Sequence, residues 1–197
     1  MPLVESSARE IGLDKKMRTW IALLRGINVG GKNILPMKDL RDLLTKCGFE
    51  GVSTYIQSGN CVFRSDHADS DRIGNIISDA IEGKFGFRPV TLVLSAEKLD
   101  AISAENPYAD AEDALKTVHL YILSKPADEA NMDALETARA GNEAFELTSN
   151  ALYLHAPDGI GRSKLAANIE RHLGVPATAR NLRSIHKIID LTKPLAG

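Results

Sequence analysis

The chain has 197 residues, of which 44% are hydrophobic and 25% are charged, and its net charge is −2. This composition is typical of a globular protein with one domain or two small ones. No apolar run reaches the length needed to cross a bilayer, so no membrane contact is predicted. The polar N-terminus lacks the apolar centre of a secretory signal, which favours a flexible leader over 1–16 and a cytoplasmic location.

The hydrophobic pattern after the leader predicts six elements over residues 17–95. In the order strand, helix, strand, strand, helix, strand, they lie at residues 18–25, 36–47, 52–57, 61–64, 70–81 and 89–94. Ser58-Gly59-Asn60 supplies a turn between the two middle strands and makes them a hairpin. This order is the ferredoxin-like βαββαβ arrangement.

Residues 96–116 are rich in Ala, Glu and Asp and are interpreted as a short helix and connector. A second half over 117–197 nearly repeats the first order, although no residue-level repeat supports a duplication. It is predicted to begin with a strand at 118–123 and a helix at 127–138. A hairpin of strands 143–147 and 151–155 follows, and then two helices at 161–173 and 180–191. The predicted fold class is α+β, with two α/β sandwich-like halves. The first is ferredoxin-like and the second is βαββα plus a C-terminal helix.

Charge is distributed unevenly along the chain. Residues 15–64 carry nine basic and three acidic side chains, and residues 159–189 carry six basic and one acidic. Between them, residues 96–146 carry four basic and twelve acidic side chains. If the two basic segments meet in space, they form a positive face that attracts anions; otherwise they are ordinary solvated surfaces.

One stretch is typical of a ligand-binding loop: Arg25-Gly26-Ile27-Asn28-Val29-Gly30-Gly31-Lys32-Asn33. Its glycines can turn backbone N–H groups towards one point, and Arg25 and Lys32 add positive charge. The loop is not a P-loop, because Asn33 stands where a hydroxyl should bind magnesium and two residues delay the helix. Two interpretations remain open, an anion cradle and a tight strand-to-helix connection.

Two later stretches could join this loop. The turn Gly159-Ile160-Gly161-Arg162-Ser163-Lys164 begins a helix, whose free N–H groups and Lys164 would suit an anion or would merely form an N-cap. Arg180-Asn181, at the start of the last predicted helix, is similar. Ser58 and Asn60 would add neutral hydrogen bonds if their turn faces the loop.

Other chemistry finds little support in the residues. The five histidines lack metal-binding spacing, and Cys47 and Cys61 are interpreted as buried free thiols. Ser95-Ala96-Glu97-Lys98 lacks the partner motifs of serine acyl enzymes, so Ser95 is interpreted as a helix cap. Nucleic acid is a possible partner but is not favoured, because only 5% of residues are aromatic and the third strand lacks the RNA-recognition signature.

Together these motifs resemble the bacterial domain-of-unknown-function 1697 family over residues 17–191. The residues that carry the resemblance are the loop 25–33, Thr54-Tyr55-Ile56-Gln57-Ser58-Gly59-Asn60, Gly161-Arg162-Ser163-Lys164-Leu165 and Ala177-Thr178-Ala179-Arg180-Asn181. Leu182 departs from the family, which often has tryptophan there. The resemblance implies two α+β halves, the first ferredoxin-like, and it implies no activity and no catalytic residues.

The leading hypothesis is a protein that binds a small anionic, phosphate-bearing ligand at the junction of the halves. The predicted ligand-binding residues are Arg25, Gly26, Asn28, Gly30, Gly31, Lys32, Ser58, Asn60, Ser163, Lys164, Arg180 and Asn181. The alternative is a nucleic-acid or protein interaction module that uses the two basic segments. Neither hypothesis names a cofactor, an oligomeric state or a reaction, since no general base or nucleophile stands out.

Overall fold

The computed structural model describes residues 16–195, so the predicted leader lies outside the described residues except for Lys16. The fold is α+β, as predicted, with two four-stranded antiparallel sheets and covering helices. The strands are β1 Arg18–Leu24, β2 Glu50–Tyr55, β3 Asn60–Ser65, β4 Thr91–Ser95, β5 Val118–Leu123, β6 Ala144–Leu147, β7 Ala151–His155 and β8 Ala177–Asn181. The helices are α1 Met37–Lys46, α2 Ser70–Phe85, α3 Ala96–Ala104, α4 Ala114–Thr117, α5 Met132–Ala138, α6 Lys164–Leu173 and α7 Leu182–Thr192.

The two sheets have matching strand orders. The first runs β2-β3-β1-β4 and the second β6-β7-β5-β8, with every neighbouring pair antiparallel. The first half has the predicted βαββαβ order. The predicted connector 96–116 is occupied by α3 and most of α4.

The second half contains a strand that the sequence analysis did not predict. β8 pairs with β5, with Ala177 opposite Leu123 and Arg180 opposite Leu120. The second half is therefore βαββαβ followed by a helix, rather than βαββα plus a helix. Small and polar residues without an apolar alternation make up β8, so its strand character depends on pairing with the buried β5.

Polar caps explain why three helices begin later than predicted. The side chain of Asn131 accepts a hydrogen bond from the N–H of Ala134, and α5 begins at Met132 instead of residue 127. Ser163 caps α6 in the same way through Ala166, and Asn181 caps α7 through Ser184. Each cap satisfies an N–H group that has no partner within the helix.

Three hydrophobic cores lie between successive layers of the fold. Because neighbouring side chains of a strand point to opposite faces, Ile21 and Leu23 of β1 enter the central core, whereas Trp20 and Ala22 enter an outer core with α1 and α2. A second outer core lies between the second sheet and the helices α5 and α6.

The central core belongs to both halves. Side chains of both sheets meet there with those of α3 and α7, and α7 contacts strands of each sheet. The buried hydroxyl of Tyr153 on β7 donates a 2.8 Å hydrogen bond to the carbonyl of Ile102 on α3. The halves are thus joined by a continuous apolar layer. Among the residues that the structure describes, no helix combines the length and apolar character of a membrane span.

His119 on β5 makes the stability sensitive to acid. Its side chain is 9% exposed, and within residues 16–195 its Nδ1 has no hydrogen-bond partner. Burial lowers the pKa of His119 below its usual value near 6.5. The unfolded chain therefore binds a proton more readily, so this contribution to stability is full above about pH 6.5 and is lost as the pH falls below it.

We expect His119→Leu to show a shallower loss of stability than the wild type between pH 7.5 and pH 5.5. Urea unfolding at both pH values measures the difference. The exposed His186→Leu is the matched control and should keep the wild-type slope. Equal slopes for wild type and His119→Leu would contradict the assignment of the acid sensitivity to His119.

Candidate functional site

The loop 25–33 folds into a small hairpin that projects into solvent. The N–H of Lys32 donates to the carbonyl of Val29, and Gly30 and Gly31 between them have φ values of 58° and 73°. Two successive positive φ values are what a type I′ turn requires, and glycine adopts them without strain. The two glycines therefore form the tip of the hairpin.

Asn28 holds the base of this hairpin. Its amide Nδ2 donates to the carbonyls of Leu35 and Gln57, at 3.0 and 2.9 Å, and its Oδ1 accepts from the N–H of Leu35. The bond to Gln57 fixes the loop against the turn between β2 and β3. The loop 25–33 is thus fixed beside the motif 58–60, and Cδ1 of Ile27 lies next to Gly59.

Asn60 organises that turn from inside. It is buried, and its Nδ2 donates to the carbonyl of Tyr55 and to the hydroxyl of Ser58. Its Oδ1 accepts a hydrogen bond from Nε of Arg180, which comes from the second half of the chain. Ile56 in the same turn has a φ of 48°, an unusual conformation for a β-branched residue.

Arg180 on β8 bridges the halves. Its Nη2 donates to the carbonyls of Leu24 and Ser58, both at 2.9 Å, and its Nη1 donates to that of Ala179. These partners are neutral, and no carboxylate within residues 16–195 forms a salt bridge with Arg180. Burial lowers the pKa of Arg180 to about 10, and the nearby charge of Arg25 acts in the same direction. Arg180 is still cationic at neutral pH.

Arg25, directly after β1, forms a second bridge. Its two terminal nitrogens donate to the two carboxylate oxygens of Glu170 on α6, at 2.7 and 2.6 Å. This is the paired-fork geometry in which arginine binds planar oxyanions. The side chains of Arg25 and Glu170 are 29% and 45% exposed, so the pair lies at the surface.

A cleft of about 320 Å³ opens beside these two bridges. Its polar lining consists of Arg25, Ser58, Glu170 and Arg180. The remaining lining is almost entirely apolar and comprises Leu24, Gly26, Ile27, Val29, Tyr121, Ala166, Ala167, Ala177 and Ala179. A few charged and polar side chains in an otherwise mostly apolar lining are typical of a small-molecule pocket.

The structure brings together part of the predicted site. Arg25, Gly26, Ser58 and Arg180 line the cleft, and Asn60 contacts it through Arg180. Gly30, Gly31 and Lys32 lie at the exposed hairpin tip and are not part of the cleft lining. The amides of Asn28 and Asn60 are already used in internal hydrogen bonds, and Asn181 caps α7.

Ser163 and Lys164 lie elsewhere. They line a broad depression of about 910 Å³ with Arg139, Glu143 and Asp158. The Ser163 hydroxyl is used as a helix cap. Further along α6, Ala166, Ala167 and Glu170 line the first cleft. Ala167 and Glu170, and Ala166 and Glu170, are three and four residues apart, so they share one face of the helix.

Glu170 and Tyr121 line the cleft but are not among the predicted site residues. Glu170 sits among ordinary charged residues of a predicted amphipathic helix, and Tyr121 reads as a core residue of β5. In the sequence, Glu170 is distinguished only as the single acidic residue of the basic segment 159–189. It carried no information about a partner 145 residues earlier.

The hydroxyl of Tyr121 in the cleft and the thiol of Cys61 near it are held in their neutral forms. Burial raises the pKa of the Tyr121 hydroxyl to about 12, so it stays protonated. Ser58 accepts from Asn60 and has no basic partner in the described chain. Cys61 lies outside the cleft, and burial raises its pKa to about 12. Across residues 16–195, no group of three His, Cys, Asp or Glu side chains is placed to hold a metal.

A solved structure shares the fold. The chain is similar to the conserved bacterial protein SP0830 from Streptococcus pneumoniae, with a TM-score of 0.69 and 23% sequence identity. The likeness covers 89% of this chain and 99% of the other. Among curated proteins, none matches the chain. The family model described as "protein of unknown function (DUF1697)" matches residues 17–153, more than half of the chain, and the protein therefore belongs to the DUF1697 family.

Proposed function

We propose that this protein binds a small anionic, phosphate-bearing ligand in the cleft between its halves. The observation that carries the proposal is Arg180, a partly buried cation whose partners in the described chain are all neutral. A cation withdrawn from water is unfavourable unless an anion compensates it. One N–H of its Nη1 has no partner within residues 16–195, and Arg180 lines the cleft.

Arg25 and Ser58 complete the anion-binding end. Guanidinium groups bind phosphate through pairs of parallel N–H donors, and two of them stand on the same cleft. The hydroxyl of Ser58 donates to no partner in the described chain and is available to a phosphate oxygen. The cleft volume of about 320 Å³ and its aliphatic walls suit a compact ligand body with few hydroxyl groups.

Isothermal titration tests this proposal with inorganic phosphate, glycerol phosphate, phenyl phosphate and a nucleoside monophosphate. We expect binding by the wild type and a loss of about tenfold or more in Arg25→Gln, since a charge-assisted hydrogen bond is removed. Lys46→Gln, at an exposed position on α1, removes the same charge and should keep the wild-type affinity. Absence of binding in the wild type would refute the proposal.

Lys32→Gln separates the cleft from the hairpin tip. Retained binding in this variant locates the anion in the cleft, because Lys32 is not part of the lining. Loss of binding in Lys32→Gln together with normal binding in Arg25→Gln would locate it on the hairpin instead.

A second candidate function is contact with a nucleic acid or a protein through the basic segments. It is favoured by the exposed aliphatic side chains Val29, Ile34 and Ile56, which are 67%, 57% and 52% exposed on the hairpin, directly after it and in the turn after β2. Fluorescence anisotropy with a labelled single-stranded oligonucleotide at 50 and 200 mM salt tests the nucleic-acid form. Steep weakening with salt would support it, because released counterions drive such binding.

We also propose that the protein functions in the cytoplasm. Cys47 and Cys61 are free thiols, and Cys61 is buried on β3. Free buried thiols persist in reducing compartments.

A further inference from the structure

We infer that Glu170 competes with the ligand for Arg25 and so controls how tightly the cleft binds a phosphate group. This inference rests on the function proposed above and identifies the group that regulates the same site.

The contact geometry supports competition. Both carboxylate oxygens of Glu170 accept from the two terminal nitrogens of Arg25, at 2.7 and 2.6 Å. A phosphate group that binds end-on to Arg25 would use the same two terminal nitrogens, which arginine also presents to tetrahedral oxyanions. Glu170 and Arg25 both line the cleft, so the carboxylate occupies the place where the ligand's oxygens would bind.

The charges that line the cleft also favour displacement of Glu170 by the ligand. With the pair closed, the lining contains two guanidinium groups and one carboxylate, which leaves one uncompensated positive charge. A phosphate monoester carries between one and two negative charges near neutral pH. Displacing Glu170 from Arg25 frees both guanidinium groups for such a ligand, whereas a closed pair leaves up to one negative charge of a doubly charged phosphate uncompensated.

The position of Glu170 makes the exchange accessible. Glu170 lies on the outward side of α6, and its side chain is 45% exposed, so water can solvate its carboxylate after release. The paired-fork geometry makes this ion pair stronger than most exposed pairs, and solvation of the released carboxylate offsets part of the cost of breaking it. The bond also joins the two halves, since Arg25 follows β1 and Glu170 lies on α6.

The test is isothermal titration of phenyl phosphate into wild type, Glu170→Gln and Glu50→Gln at low salt. Glutamine keeps the size of the side chain and removes its charge. We expect Glu170→Gln to bind about tenfold more tightly than the wild type, as one charged competitor is lost. Glu50 pairs with Arg64 at the other end of β2 from the cleft, so Glu50→Gln makes the same charge change and should keep the wild-type affinity.

The other outcomes each contradict the inference. Equal or weaker binding by Glu170→Gln, with clear binding by the wild type, would refute the competition and leave the proposed function intact. If Glu50→Gln gained the same affinity for phenyl phosphate, the effect would come from net charge and not from the pairing of Glu170 with Arg25. No binding in any of the three proteins would refute the proposed function as well. Thermal unfolding without ligand shows whether both variants keep the wild-type fold.

Discussion

Replacing Arg180 with methionine is expected to lower the free energy of unfolding by about 2–4 kcal/mol. The guanidinium donates to three backbone carbonyls and to the side chain of the buried Asn60. Methionine fills a similar volume and donates nothing, so these acceptors lose their partners where water is scarce. Urea unfolding monitored by circular dichroism measures the change.

Two further variants serve as comparisons for Arg180→Met. Arg180→Lys keeps the charge, but a single ammonium cannot reach acceptors spread around a planar fork, so an intermediate loss is expected. Arg183→Met changes an exposed arginine on α7 and should alter stability by less than about 0.5 kcal/mol. A stable Arg180→Met protein would show that the bridge contributes nothing net to folding.

Replacing Gly59 with alanine is expected to cost about 3 kcal/mol of folding free energy, from positive φ and overpacking together. Gly59 has a φ of 74°, and an added Cβ would lie 2.7 Å from Cβ of Leu24 and 2.8 Å from Cδ1 of Ile27. Leu24 and Ile27 are themselves buried, so neither can move without disturbing the core. Thermal or urea unfolding gives the loss directly.

Gly31→Ala is the matched comparison for Gly59→Ala. Gly31 has nearly the same φ, 73°, but no atom lies within 4 Å of the position that its Cβ would take. The backbone cost alone, about 1 kcal/mol, is expected. If both variants lost the same stability, the close approach of β1 to Gly59 would have no energetic role.

The motifs that carry the family resemblance have a structural role in this fold. Gly59 allows the turn to approach β1, Asn60 braces it, and Arg180 connects it to the second sheet. These contacts between the two halves require particular residues at Gly59, Asn60 and Arg180, as a binding site would. The proposed anion site shares Arg180 with this joint, so binding and stability are coupled there.

The fold could be predicted wherever apolar periodicity is strong. The strands β1 and β5 and the helices α1 and α2 have clear apolar patterns, and their positions agree with prediction to within a few residues. The strand β8 lacks such a pattern, because its burial comes from a neighbour rather than from its own composition. Element order is local information, whereas the layer formed by α3 and α7 between the sheets depends on long-range packing.

The site was predictable only in part, for the same reason. Glycine content and positive charge identified the loop, and Arg25, Ser58 and Arg180 do share a cleft. The sequence could not distinguish glycines that form a hairpin tip from glycines that line a ligand site. The pairing of Arg25 with Glu170 joins residues 145 positions apart, and no local pattern encodes it.

The position of α7 has a consequence for synthesis on the ribosome. All four strands of the first sheet are complete once Ser95 has emerged, yet part of the inner face of that sheet is covered by Leu182, Ile185 and Ile188 of α7. Those residues are translated only after the last strand of the second sheet. Until α7 is made, the first half therefore has an apolar surface that only α3 can cover, and exposed apolar surface of this kind promotes aggregation. A premature stop before α7 would leave both sheets in that condition.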